Sequence, residues 1–310
     1  QANTTADDNT AVGYLSLAAN TTGTSNVAIG KDALNDNTTA NSNTAVGWNV
    51  LSKNTTGTAN TGIGESALRN ATTGDSNTGL GYSALGAAVV TGDNNTAVGT
   101  NAGAAITSGA QNTAVGAQAL DASTTGASNT AVGFQSLTTN ILADASTAVG
   151  FRALSTHNVG SSALTYNTAV GYDAGLSVTT GVKNTFMGGL AGDATDDGAG
   201  NTAVGYLSLS ANAGDQNTAV GDNSLGVVTG SNNTAIGRAA GLQITSGGNN
   251  IAIGLDALRS GSPGGAQTTA SNKIGLGDEN ISSANIQVDW TVASDARDKT
   301  DFTALDLGLD

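Results

Sequence analysis

The side chains that most often carry out catalysis are scarce in this chain of 310 residues. It contains no cysteine, one histidine (His157) and only two glutamates, Glu65 and Glu279, which lie far apart in the sequence. These counts exclude thiol chemistry, a His-based metal cluster and duplicated acid–base machinery. A glycosidase with paired carboxylates would have to use aspartates, and no aspartate pair is marked out. We therefore predict that the chain is not an enzyme and binds no cofactor.

Two smaller groups of polar residues also have an ordinary structural explanation. Asp193, Asp196 and Asp197 cluster in one turn and carry oxygen ligands suited to calcium. They lack the spacing of a calcium-binding loop, and acidic residues are common in turns, so we predict no metal site. His157 lies in an irregular stretch, which we interpret as a protruding loop.

Aromatic residues form the third candidate set. Seven of the eleven aromatics follow directly after a glycine in a repeated phrase, namely Tyr14, Trp48, Tyr82, Phe134, Phe151, Tyr172 and Tyr206. One interpretation is a ladder on which the sugar rings of a host surface stack. The other, which we favour, is packing between coils or between chains, since interfaces bury aromatics readily.

The repeated phrase is Asn-Thr-Ala-Val-Gly or a close variant, and it occurs fifteen times, ending at glycines from Gly13 to Gly254. Ten of the fourteen intervals between these glycines are 17 residues, and the others are 18, 21, 16 and 16. A short fixed period indicates one structural unit stacked many times. Seventeen residues are too few for a propeller blade but suit two short strands and two turns.

Positions in the repeat are numbered here from its glycine, which is position 0. Position −4 is Asn in fourteen copies, position −3 is Thr in thirteen, position −1 is always a large apolar residue, and position +4 is Leu in eleven. Side chains alternate between the two faces of a strand, so positions −3 and −1 share a face. Because Val27 and Ile251 are apolar replacements at −3, we predict that this face is interior, with Val115 in the core. The opposite face, Ala or Gly at −2 except for Phe186, would then face another chain.

These features predict an all-β fold, a parallel β-solenoid (β-roll) of about 15 coils of 17 residues, on the order of 70 Å long. Residues 9–258 resemble the head repeat of trimeric autotransporter adhesins and, more closely, the 17-residue version found in phage tail fibres. The resemblance implies a left-handed roll and a homotrimer, in which two identical chains are the partners of each chain.

The repeat fails after Pro263. We predict a roll over residues 1–270, a transition or neck with a non-repeat strand over residues 271–293, and a stub over residues 294–310. The segment beginning Ser294-Asp295-Ala296-Arg297-Asp298-Lys299 is similar to the start of the endosialidase-type intramolecular chaperone. That resemblance implies cleavage between Ser294 and Asp295, with Ser294 as nucleophile and Lys299 as a candidate base. Because only 16 residues follow Ser294, this chain is not expected to cleave itself.

Net charge restricts the partners. Acidic residues outnumber basic ones 24 to 10, which disfavours nucleic acid and anionic membranes, and no apolar run is long enough for membrane insertion. The resulting hypothesis is a structural segment of a virion tail fibre that serves attachment to a host glycan or protein receptor. The alternatives are the head of a bacterial trimeric surface adhesin and, with less support, a glycan-degrading tailspike or an ice-binding solenoid.

Overall fold

The computed structural model describes residues 5–262 and 264–283. The chain divides into two compact units, Gln1–Glu279 and Asn280–Asp310, and the first unit is an all-β parallel β-solenoid. Each coil contributes one strand of three residues at positions −3 to −1. The strands are β1 Thr10–Val12, β2 Val27–Ile29, β3 Thr44–Val46, β4 Thr61–Ile63, β5 Thr78–Leu80, β6 Thr96–Val98, β7 Thr113–Val115, β8 Thr130–Val132, β9 Thr147–Val149, β10 Thr168–Val170, β11 Thr185–Met187, β12 Thr202–Val204, β13 Thr218–Val220, β14 Thr234–Ile236, β15 Ile251–Ile253 and β16 Ile274–Leu276. The predicted fold class is confirmed.

The strands form one sixteen-stranded parallel sheet in sequence order. Every strand pairs with the next so that equal repeat positions lie side by side, as Thr113 with Thr130 and Val115 with Val132. The register persists where the interval departs from 17 residues, as between Thr147 and Thr168. Insertions are therefore absorbed outside the strands, and each position forms a column along the sheet.

In the coils that the structure describes, the predicted second strand does not form. Positions +2 and +4 adopt left-handed backbone conformations instead, as in Gln118 (φ 57°) and Leu120 (φ 53°). Two such residues so close together prevent an extended strand. This part of the coil is still bonded to its neighbour, because the amide of Leu120 donates to the carbonyl of Ser136 at 3.0 Å.

The predicted orientation of the strands was wrong. From the second repeat on, Ala at position −2 is fully buried inside the coil, for example Ala114 and Ala131. Val115 at position −1, in contrast, lies on the outer face and is half-buried. The interior has little room at −2, since a Cβ added to Gly62 would lie 2.5 Å from Cγ1 of Val50. The small residues at −2 therefore accommodate the chain's own core, and they do not form a face for another chain.

The leucines at position +4 fill the core, as predicted, and Leu34, Leu51 and Leu120 are fully buried. The four coils with glycine at +4 compensate in volume. In the coil of Gly103, the side chain of Ile106 reaches to 3.0 Å from where a Cβ of Gly103 would lie. Ile244 similarly approaches Gly241. In these two coils, glycine at +4 thus occurs where a larger side chain three residues later occupies the same space.

Phe186 shows the same compensation between coils. It stands at position −2, where other coils have Ala or Gly, and its ring is completely buried. A Cβ on Gly192 would lie 2.6 Å from the ring, and one on Gly175 would lie 3.0 Å from it. The sequence marks Phe186 as a local departure. The space for the ring is inside the roll, where two leucines are missing.

Stacked asparagines connect the coils at position −4. The side-chain oxygen of Asn26 accepts from the backbone amide of Asn43 at 3.0 Å, and its side-chain nitrogen donates to the carbonyl of Ala40 at 2.9 Å. The same pattern recurs from Asn43 to Asn60. The predicted asparagine ladder is present, although most of its bonds go to backbone atoms.

The solenoid continues past the boundary predicted at residue 270. Strand β16 pairs with β15 in the same register, because residues 271–277 keep a small residue at −2, large apolar residues at −3 and −1, and Gly277 at position 0. The non-repeat strand predicted within the neck, at residues 286–292, lies outside the described residues. Ser294, Asp295 and Lys299 also lie outside them. Within the described residues, no helix is long and apolar enough to cross a membrane.

We expect Phe186→Ala to lower the free energy of unfolding by about 3–5 kcal/mol, because it leaves a cavity where two leucines are already absent. Gly192→Leu alone should also be destabilising, because its side chain clashes with the ring. The double variant restores the common Ala and Leu of the repeat, so it should be more stable than Phe186→Ala. Denaturant titrations of the four proteins measure this, and additive losses would contradict the shared space.

Candidate functional site

The outer face of the sheet carries no charged side chain in the fifteen repeats and presents threonine and aliphatic side chains. Positions −4 to 0 of the fifteen repeats contain no charged residue, although the chain carries 24 acidic and 10 basic residues. The aliphatic side chains at −1 are well exposed, for example Ile29 (39 %), Ile236 (44 %) and Met187 (46 %). Threonines at −3 form a parallel column beside them. In the single chain, these exposed aliphatic side chains therefore form a regular column along the sheet.

The predicted aromatic residues form an adjacent exposed column at position +1. Three of them stack on consecutive coils. Ring centroids of Phe134 and Phe151 are 5.5 Å apart, and those of Phe151 and Tyr172 are 5.1 Å apart with nearly parallel planes. Such contacts stabilise neighbouring coils. These three rings therefore pack between coils, which is the interpretation favoured from the sequence.

The remaining aromatics of the column are separated from one another by coils with other residues. Lys31 stands between Tyr14 and Trp48, and Gly189 stands between Tyr172 and Tyr206. Tyr14, Trp48, Tyr82 and Tyr206 are all exposed. The structure thus brings three of the seven predicted residues into one cluster and leaves four as single exposed rings.

A charged pair that the sequence analysis did not identify lies beside the aromatic stack. Arg152 donates to Asp173 through Nε at 2.9 Å and through Nη2 at 2.5 Å, and its guanidinium lies 5.1 Å from the ring centroid of Phe151. The Asp173 carboxylate raises the pKa of Arg152. Both residues occupy position +2, but the irregular 21-residue interval separates them in the sequence. Numbering both residues by repeat position, in spite of the insertion, would have placed them side by side on neighbouring coils.

His157 is not in the protruding loop that the sequence suggested. Its ring is fully buried in the interior column that holds Asn140 one coil earlier. The exposed residues of this stretch include Gly160, Ser161 and Ser162. Nε2 lies 3.4 Å from the side-chain nitrogen of Asn167, and Nδ1 has no hydrogen-bond partner. Burial lowers the pKa of His157 to about 4.

The acidic turn does not converge on a common point. The Asp196 carboxylate accepts a hydrogen bond from the hydroxyl of Thr179. Burial raises the pKa of the Asp193 carboxyl. Among the described residues, no group of three or more potential metal ligands occurs. The chain does not match any model of a known protein family, and no curated protein matches it.

We expect the buried His157 to make the solenoid less stable in acid. Its folded-state pKa of about 4 lies below the ordinary 6.5, so the unfolded state binds more protons between these values. Stability should therefore be complete above pH 6.5 and fall as the pH drops to about 4, by about 3 kcal/mol in total.

The variant His157→Asn supplies the residue found at the same column position in Asn140, and it should lose this part of the pH dependence. Unfolding by denaturant at pH 7, 6, 5 and 4 compares the two proteins. Carboxylates titrate in both, so the difference between them isolates the histidine. Parallel pH profiles would contradict the assignment.

Proposed function

We propose that this chain is a structural segment of a phage tail fibre, in which three copies associate side by side and support attachment to the host cell. The proposal rests on the stacked 17-residue repeat and on its resemblance to the repeats of such fibres. Left-handed coils and location in the virion are part of the same proposal. A repeat solenoid suits a fibre because each coil forms a template for the next along one axis.

The observation that carries the proposal is the uncharged apolar outer face of the sheet. Each chain has a formal charge of −14, so copies of it repel one another in general. A face without charges, with aliphatic side chains in register on every coil, is where copies can approach with a gain from apolar burial. The interface that we propose is therefore formed by positions −3 and −1, with the aromatics of position +1 at its edge. It replaces the Ala/Gly face, which is inside the coil.

An attachment head of a bacterial trimeric adhesin is the alternative, because the repeat resembles that family as well. The segment that begins at Ser294 favours the phage fibre, since it is similar to a self-cleaving chaperone of phage fibres. A glycan-degrading tailspike has less support, because no carboxylate pair is apparent.

One observation favours a second candidate function, binding to ice. Threonines at position −3 face outward in thirteen of the fifteen repeats and recur with the spacing of adjacent strands, about 4.8 Å. The sequence had placed them in the interior, which was the reason to set this function aside. A flat array of threonine and valine is the kind of surface that an ice-binding solenoid needs, provided that it stays uncovered.

Light scattering at micromolar concentration should give three times the mass of one chain. A variant with three lysines on the outer face should give the mass of one chain, because it places charges in the proposed interface: Ile63→Lys, Val115→Lys and Val170→Lys. The matched control has three lysines at position −5, where Lys183 already stands: Ser42→Lys, Ser76→Lys and Ser128→Lys.

The control should remain trimeric, and circular dichroism should show both variants folded. A wild-type mass of one chain would contradict the fibre proposal. Thermal hysteresis of that monomer would then support the ice-binding candidate, and its absence would reject both.

We expect the full-length natural precursor to be cut after Ser294 once its chains have assembled. In that reaction Ser294 is the nucleophile and Lys299 is the candidate base that accepts its hydroxyl proton. The Ser294–Asp295 C–N bond breaks, the Asp295 nitrogen leaves as an amine carrying that proton, and water hydrolyses the acyl ester that remains. Ser294→Ala should leave the precursor uncut, as mass spectrometry would show. A wild-type precursor that keeps its C-terminal part, or a variant cut at the same bond, would refute the role of Ser294.

A further inference from the structure

A cavity of about 210 Å³ opens on the surface at positions −6 and −5 of three consecutive coils. It is lined by Val182, Lys183, Ala199, Gly200, Asp215 and Gln216. Backbone hydrogen bonds connect these three coils. The amide of Gly200 donates to the carbonyl of Val182, and the amide of Gln216 donates to the carbonyl of Ala199, each at 2.9 Å. The cavity therefore lies on a firmly bonded part of the solenoid.

Gly200 creates the opening. It is the only glycine at position −5 among the repeats, and the same position holds Asn232 and Asn249 in later coils. These residues share its left-handed backbone, with φ of 69°, 63° and 57°. A Cβ at residue 200 would meet only the Cγ of Gln216, at 3.5 Å, which is an ordinary contact. Glycine is therefore not required for the fold at this point, and its effect is to leave space.

The polar groups around this space are available to a ligand. Among the described residues, the Lys183 ammonium has no carboxylate within ion-pair distance, and the Gln216 side chain makes no hydrogen bond. One oxygen of Asp215 accepts from the amide of Ala199 at 2.8 Å, which leaves the other oxygen open. A cation thus stands on one wall, and an acceptor and an amide stand on the opposite wall.

We propose that this cavity binds a carboxylate-bearing sugar unit of a glycan. The sugar carboxylate would pair with Lys183, and its hydroxyls would bond to Asp215 and Gln216. The apolar surface of Val182 and Ala199 suits the C–H face of a pyranose ring. This open surface site combines apolar side chains with a few convergent polar groups, as ligand sites do.

The spacing of the walls selects this class of ligand. Lys183 and Asp215 are two coils apart, on the order of 10 Å. An α-amino acid carries its ammonium and carboxylate on one carbon, and these are too close together to reach both walls. A sugar acid separates its carboxylate from its distal hydroxyls by the width of a ring. A role of this site as the receptor contact of a fibre rests on the proposed function. Binding of the sugar does not, because all the lining residues come from one chain.

The test uses a disaccharide that ends in glucuronic acid and the same disaccharide ending in glucose, each titrated into the intact protein by ligand-observed NMR. We expect the acidic form to bind about tenfold more tightly or better, because a charge-assisted bond is lost in the neutral one. Added salt should weaken only the acidic form.

Lys183→Gln should bring the two affinities to within about twofold of each other. Gly200→Asn should abolish binding of both by filling the space, and the fold should tolerate it as it tolerates Asn232. Lys53→Gln is the matched control, since Lys53 is already paired with Asp36 at 2.9 Å, and it should bind like wild type.

Equal binding of the neutral sugar, no binding of either sugar, or retained acid preference in Lys183→Gln would overturn the assignment. Should Gly200→Asn misfold, the lysine variant and the neutral sugar still decide the question. Failure of the sugar to bind leaves the oligomeric mass as an independent measurement, so the two proposals fail separately.

Discussion

Each coil depends on the one beside it through the asparagine at position −4. Its side chain lies in the interior, where an unpaired amide would be costly, and it satisfies a backbone donor and a backbone acceptor of the next coil. The bond to the turn carbonyl requires close approach, and a Cβ on Gly57 would lie 2.5 Å from the carbonyl oxygen of Gly74. A buried amide in nearly every coil thus supports the register of the strands and favours small residues in the turn.

A fixed register makes the interior a set of columns whose volumes must match. Alanine at −2 and leucine at +4 fill most coils, and changes occur in compensating groups, as with Phe186 between two glycines. The core is narrow and holds few large side chains, so its stabilisation is distributed among coils. Position −1 is consequently directed outward, and the bulky aliphatic residues lie on the surface of the single chain.

This arrangement separates the buried positions that hold the coils together from the exposed positions. Charges are confined to the turns and the far side of the coil, whereas the sheet presents only threonine and aliphatic side chains. The uncharged outer face of the sheet and the small cavity therefore lie at different columns of one solenoid. A coil can depart from the repeat at a single position, as at Gly200, and keep the backbone conformation of its neighbours.

The sequence by itself determined the period, the strand at positions −3 to −1, the parallel solenoid, the buried leucines and the asparagine ladder, because these follow from residue types that recur at fixed offsets. Only the tertiary structure decided which strand face is inside. Neither face of the strand carries a charged residue, so the alternation along the strand does not reveal which face is exposed. The narrow coil has room for only the smaller side chains in its interior. The left-handed residues at +2 and +4, the burial of His157, the Arg152–Asp173 pair and the cavity at Gly200 likewise depend on contacts between coils. Those contacts join residues 16 to 21 positions apart, and single-coil patterns do not encode them.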